Sequence, residues 1–289
     1  MLGIILAIFS PLCVAIAIIF IRKGLAESNY FSAILTVTII GFIIFGVITL
    51  LIVPLNSFNN FKGILFFILA GIVAMALTRL FYYKGMEILG ASWNASLFAA
   101  WPLFGSFAAV IILSEVWSLG ILAGCVLTVC GVIILERSIT NEKSNFGFVK
   151  SGFIFPIAAA ILSGFGVVFM KLGLNTLDEP VIGATVGYTA SLCLYLLLMA
   201  VSKNLRKIKI GKKEFRLFLN GGIFIAISWI LTFYAFKIGD VVLISPILNI
   251  EALFIILLSY FFLNKEAITR RLVIGAAAIV IGVSIIVIS

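Results

Sequence analysis

The chain has 289 residues, 64% of them hydrophobic and 11% charged, with a formal net charge of +9. Soluble domains are nearer half apolar and a quarter charged, so a soluble core is excluded and a multi-pass membrane protein remains. Histidine is absent, which removes the commonest general base and a common zinc ligand. Cys13, Cys125, Cys130 and Cys193 sit inside apolar runs with no CxxC pair, so neither metal nor cofactor is expected.

A hydrocarbon core of about 30 Å asks for roughly 20 apolar residues per helix. In chain order such runs cover 2–21, 30–53, 63–83, 92–113, 117–135, 151–170, 181–201, 217–236, 241–263 and 271–288. The first reads as a retained span, because Arg22 and Lys23 follow it and no basic residue leads it. The longest polar connections are 136–150 and 202–216. Neither has room for a soluble catalytic domain, and no phosphate-cradling motif occurs, so an enzyme is not expected.

The runs repeat. FIRKGL (Phe20–Leu25) returns as FMKLGL (Phe169–Leu174), 149 positions later. GCVLTVCGVIIL (Gly124–Leu135) is echoed by GAAAIVIGVSII (Gly275–Ile286), each with glycines seven apart and a following valine, which puts both glycines on one helix face two turns apart. WPLF at 101–104 corresponds to EALF at 251–254, and the aromatic-rich FYYKG at 81–85 to FYAFK at 233–237. The sequence therefore predicts an all-α membrane protein of ten helices in two five-helix repeats, 1–136 and 151–289, joined by a linker at 137–150. Five is odd, so the second repeat enters the membrane inverted, an architecture recurrent in secondary transporters with the substrate site near the midplane.

Of the twenty basic residues, all but Lys62, Lys171 and Lys237 lie in or beside the odd-numbered connections. The positive-inside rule then puts those connections in the cytoplasm and both termini outside, in a cell membrane. The bias accounts for the net charge without a nucleic acid partner. The basic run from Lys203 to Arg216 lies against anionic headgroups in this reading, and Arg79, near the end of its run, snorkels to the same surface. An acidic group of a substrate is its alternative partner.

With these landmarks in order, the chain resembles the ten-helix members of the EamA family, in the drug/metabolite transporter superfamily. The carriers are the basic-x-Gly-Leu ends of runs one and six, the aromatic-lysine ends of runs three and eight, and the G-x6-GV pattern of runs five and ten. The resemblance implies a secondary carrier, often an exporter of amino acids, other metabolites or drugs. It also implies that helices one, three and four of each half line a central cavity while the fifth packs at the periphery. Two departures stand out. Members often carry Glu-Pro in the fourth helix of a half, whereas here one copy has Trp101-Pro102 and the other Glu251-Ala252. Members are also commonly drawn with cytoplasmic termini, against the charge bias here.

Glu251 is the acidic residue expected near the middle of a span, where a charged carboxylate costs about 2.5–3.5 kcal/mol on insertion scales. It either binds a proton and a substrate cation in turn, contacts substrate without coupling, or is a neutral carboxyl bonded to a neighbouring helix. Trp101 holds the matching place in the first half and would offer a cation an aromatic face. Tyr83, Trp229 and Tyr234 extend that wall, or the two tyrosines anchor at the interface. Asn249 and Asn94 are further cavity candidates, although Asn249 points about 200° from Glu251 on a helix. Pro246 and Pro102 would kink their helices. Gly120, Gly124, Gly131, Gly275 and Gly282 read as close helix packing.

These features favour a gradient-driven carrier of a small organic solute, with protons as possible co-substrate, acting within the lipid bilayer as a monomer. A flippase for a lipid-linked group and a non-transporting membrane structural or interaction protein of the same fold are the alternatives.

Overall fold

A long apolar segment in a bilayer can satisfy its backbone only by coiling into a helix or joining a closed barrel. Here the choice is helix. The computed structural model describes residues 2–25, 27–89, 94, 97–139, 150–201, 208–251, 253–254, 257–258 and 270–288. Among them the regular elements are all helical. They comprise α1 (Leu2–Leu25), α2 (Tyr30–Ile52), α3 (Phe61–Ala70), α4 (Thr78–Leu89), α5 (Trp101–Leu113), α6 (Leu119–Ile139), α7 (Ile154–Leu177), α8 (Pro180–Val201), α9 (Lys212–Ile238), α10 (Val241–Leu248) and α11 (Arg270–Ile288). Among the described residues six stretches are long and apolar enough to cross a membrane: α1, α2, Phe61–Gly85, α7, α8 and α9. The start of the fourth predicted run (92–93, 95–96), the end of the ninth (259–263), most of the linker (140–149) and the basic stretch 202–207 lie outside the described residues.

The principal helix pairs each join one half to the other. α1 packs along α9, α3–α4 along α7, α2 along α8, α5 against α10, and α6 against α11. The repeated glycines explain how two of these pairs close. A Cβ at Gly24 would strike the Phe218 ring, and one at Gly173 would strike the Phe67 ring. The opening motif is therefore a socket: each half contributes a glycine that admits a phenylalanine edge of the other. In the α6–α11 pair a Cβ at Gly124 would meet the Gly282 carbonyl at 2.6 Å and one at Gly131 the Gly275 carbonyl at 2.9 Å. The backbones thus run antiparallel at close range, with Gly120 half-buried on the same helix.

Hydrogen bonds sort the connections to two ends. Ser28 Oγ donates to the Lys209 carbonyl (2.5 Å) and Lys209 N to Ser32 Oγ (3.0 Å) at one end. At the other, Asn60 caps α3 by accepting from Gly63 N (3.1 Å) while its amide donates to the Thr176 carbonyl (2.9 Å), and Lys237 pairs with Asp178 at 3.1 Å. That second end is closed by packing: Phe67 and Phe233 meet edge-on, centroids 6.1 Å apart, against Gly183.

The elbow between α9 and α10 is held by charge. Lys171, the basic residue of the second motif copy, is buried and donates to the carbonyls of Phe236 (2.7 Å) and Gly239 (2.9 Å). Glu115, from the α5–α6 connection, accepts from Val241 N (2.9 Å) and Val242 N (2.8 Å). A cation thus sits at a helix C-terminus and an anion at a helix N-terminus, each complementary to the dipole there. Burial pushes the Glu115 carboxyl above its ordinary range; the two N–H donors and Lys171 oppose that shift, while Asp240 adds to it.

Two outcomes follow. Gly173→Ala should lose about 1–3 kcal/mol by overpacking, seen as a lower midpoint in detergent thermal unfolding, and adding Phe67→Leu should recover at least half of the loss. Glu115→Gln replaces one acceptor oxygen with a donor and should cost about 1–3 kcal/mol. Because the folded carboxyl is shifted upward, its linked stability is present below the ordinary carboxylate pKa and fades as pH rises through the folded value. A pH series of unfolding midpoints should show that decline in the native protein and not in Glu115→Gln.

Candidate functional site

Neither copy of the fourth helix is continuous. In the first half the chain turns at Ala99–Ala100, and in the second at Asn249–Ile250. The bonds match across the repeat. Ala100 N donates to the Leu97 carbonyl (3.4 Å) and Leu103 N to that of Ala100 (3.0 Å), while Ile250 N donates to Ile247 (3.1 Å) and Leu253 N to Ile250 (2.9 Å). Asn249 joins the two breaks, its Nδ2 donating to the Ala99 carbonyl at 3.0 Å. Trp101 and Glu251 each follow a break by one residue, and both line one cavity of about 280 Å³.

Both halves build that cavity. Ser10, Val14 and Ile18 come from α1, Ala33, Ile34 and Val37 from α2, and Ile225, Ser228, Trp229 and Thr232 from α9. The lining runs from Trp101 and Glu251 to Ile21, Ile34 and Tyr83, toward the end that carries the Ser28–Lys209 contact and away from the charged elbow. Its polar groups are few. Ser10 Oγ donates to the Ser228 carbonyl (3.0 Å), with Ser228 Oγ and Thr232 Oγ1 each 2.8 Å from it. Aromatic contacts stiffen the rest: Tyr83 stacks on Tyr30 (5.8 Å), Tyr82 meets Phe98 edge-on (4.9 Å), and Trp229 tilts against Phe233 (6.2 Å).

The wall from the first half's third helix has an irregular origin. Between α3 and α4 the chain makes a π-helical segment, Gly71–Leu77, with Thr78 Oγ1 donating to the Val73 carbonyl (2.8 Å). α8 satisfies the widened turn: Ser191 Oγ donates to the Gly71 carbonyl (2.9 Å), and the Tyr195 hydroxyl lies 3.2 Å from the carbonyls of both Met75 and Ala76. Such wide turns are frequent at functional sites. This one ends beside Thr78 and Arg79, both of which line the cavity. Arg79 is thus a cavity-lining residue. Tyr83, Tyr188 and Tyr195 are its electrostatic neighbours.

Of the residues singled out from sequence, Glu251, Trp101, Trp229 and Tyr83 line the cavity. Asn249, Asn94 and Tyr234 are not in its lining. Asn249 is buried as the staple between the two breaks, and Asn94 is buried against Gly85. Tyr234 is 40% exposed on the outer face of α9. Pro102 starts α5 rather than kinking it, and in that first turn a missing N–H leaves no bond broken. Pro246 lies inside α10, and the break comes after Leu248. Sequence reasoning missed Ser10, Thr78, Ser163, Ser228 and Thr232. Ser228 and Thr232, at i and i+4 beside Trp229, were the available signal. Among the described residues no group of three or more His, Cys, Asp or Glu side chains is arranged to hold a metal.

Comparison with known proteins adds the family. The EamA-like transporter family profile matches residues 1–137 and again 150–288. Among curated proteins no match is found. A solved structure, described only as a crystal structure of a protein, superposes with a TM-score of 0.82 at 17% identity, covering 99% of this chain and 97% of its own. That likeness shows the fold.

Proposed function

The chain belongs to the EamA-like transporter family, and from that premise we propose that it is a gradient-driven carrier. It moves a small organic solute through the central cavity by alternating access. The repeats 1–136 and 151–289 act as two inverted five-helix halves, ten spans in all, flanking the linker 137–150. The observation that carries this reading is the pair of matching helix breaks, stapled by Asn249 and opening Trp101 and Glu251 onto one cavity. Discontinuous helices meeting between two repeats are how carriers build a site at mid-membrane.

The reciprocal sockets support the inverted arrangement, since a two-fold relation between halves sends Gly24/Phe218 onto Gly173/Phe67. With the odd connections cytoplasmic in a cell membrane, the cavity extends inward and the elbow of Lys171 and Glu115 closes the outer side. An exporter loads from that inward-facing state. Glu251 is half-buried in the wall and is the coupling group in this scheme, holding a proton in one state and releasing it to a wet or cation-filled cavity in the other.

Purified protein in liposomes tests this, with amino acids, amines and nucleosides offered under an imposed pH gradient. A member of the panel should evoke proton movement in the native protein, and Glu251→Gln should reduce that movement at least tenfold. Solute flux unchanged in Glu251→Gln would leave the carrier and remove the coupling role. A native protein that moves no solute but scrambles a lipid-linked probe would replace the carrier with a flippase.

A further inference from the structure

We infer that Asn249 is the pivot about which the two halves rock. Its bond to Ala99 lies on the two-fold axis between them and holds while contacts at either end change. The inference rests on the two inverted halves of the carrier reading. It starts from position. The WPLF and EALF segments set residues 150 apart in correspondence, and Asn249 and Ala99 are 150 apart. A residue and its two-fold image lie equally far on either side of the axis, so they touch only beside it. The Gly24–Phe218 and Gly173–Phe67 sockets are the opposite case, two separate contacts exchanged by the same operation. Trp101 and Glu251, another equivalent pair, line one cavity, so the cavity straddles the axis as well.

Local chemistry explains why a bond forms there. In a continuous helix Leu103 N would donate to the Ala99 carbonyl. Here it donates to Ala100 (3.0 Å), which leaves the Ala99 carbonyl open to a donor from elsewhere. Asn249 Nδ2 supplies that donor at 3.0 Å, with both residues buried. The second break relieves the Asn249 carbonyl of its helical donor in the same way, since Leu253 N donates to Ile250 (2.9 Å). Ala99 has only a methyl group to offer, so its side chain cannot make the reverse bond. One bond on an axis is a swivel, whereas a reciprocal pair would fix the angle between the halves.

Motion about this point has a definite sign. Alternating access rocks one inverted half against the other around a fixed site. An off-axis contact opens or closes in that motion, whereas an axial one maps onto itself. The bonds from Val241 N and Val242 N to Glu115 are off-axis contacts between the halves at the elbow. The Ser28–Lys209 contact joins the halves at the other end. With Asn249 as pivot, loosening the elbow tightens the Ser28 end. Without it, each end opens alone.

The experiment is hydrogen–deuterium exchange on detergent-purified protein at pH 7, followed in peptides over 236–244 and 208–216. Glu115→Gln should speed exchange in the first about threefold and slow it about threefold in the second. Adding Asn249→Ala should keep the first change and abolish the second. Adding Asn249→Ala together with Ala99→Asn hands the amide to the other half, facing the carbonyl at 249, and should restore both changes. A thermal scan of each variant verifies folding. If Asn249→Ala alone does not fold, the exchanged pair must still fold and show both changes, or the pivot is lost. An unchanged 208–216 in Glu115→Gln overturns the inference. So do opposed changes that survive Asn249→Ala, or an exchanged pair that fails to restore them. No solute or gradient enters this measurement. Opposed changes in a protein that moves nothing in liposomes therefore keep the pivot and lose the carrier, and solute flux without opposed changes does the reverse.

Discussion

Within a bilayer an unpaired backbone N–H or C=O costs several kcal/mol, and that constraint organises this protein. Among the described residues three breaks within helical runs and the elbow between α9 and α10 depart from regular helix, and their backbone groups find partners. Ser191 and Tyr195 answer the wide turn at 71–77. Asn249 answers the break at Ala99. Lys171 and Glu115 answer the elbow at 236–242. The break at Asn249–Ile250 closes itself with i→i+3 bonds. Three of the four are settled wholly or partly by a side chain from the opposite half, so backbone irregularity and assembly of the halves are one problem with one solution.

Irregularity is also where the cavity is. A continuous helix keeps its carbonyls to itself and presents only side chains. The two broken fourth helices and the widened third helix instead bring Trp101, Glu251 and Arg79 to one small volume with apolar walls. The polar content is concentrated in a guanidinium, a carboxylate and a hydroxyl cluster on Ser10, Ser228 and Thr232. A few polar groups placed in an apolar pocket is the composition by which sites select small molecules.

Much of this was legible in the residues. Apolar length marked the helical runs, six of which among the described residues are long enough to cross a membrane, and the recurrence of FxxxGL, of the paired glycines and of the WPLF/EALF segment marked the two repeats that the family profile matches. Glu251 and Trp101 were legible for the same reason: they occupy equal places in the two copies. What could not be read was the π-helical segment, because GIVAMAL contains neither proline nor a polar residue to mark it. Its carbonyls find partners 120 residues away, in Ser191 and Tyr195. Sequence also left two partners open for Arg79, a headgroup and an acidic group of a substrate, and did not tell that it lines the cavity. Asn249 shows the converse: a polar residue two positions from Glu251 bonds the Ala99 carbonyl and is not in the cavity lining.

The reciprocal sockets carry a further consequence. The ring that fits Gly24 belongs to the second half and the ring that fits Gly173 to the first, so each half fits the other by the same device. The family profile matches both halves, which makes them repeats of one unit. Repeats joined in one chain are free to differ residue by residue. Glu251 and Trp101, or Lys171 and Arg22, thus differ at equivalent positions, giving a cavity with two unlike sides that two identical copies could not have formed.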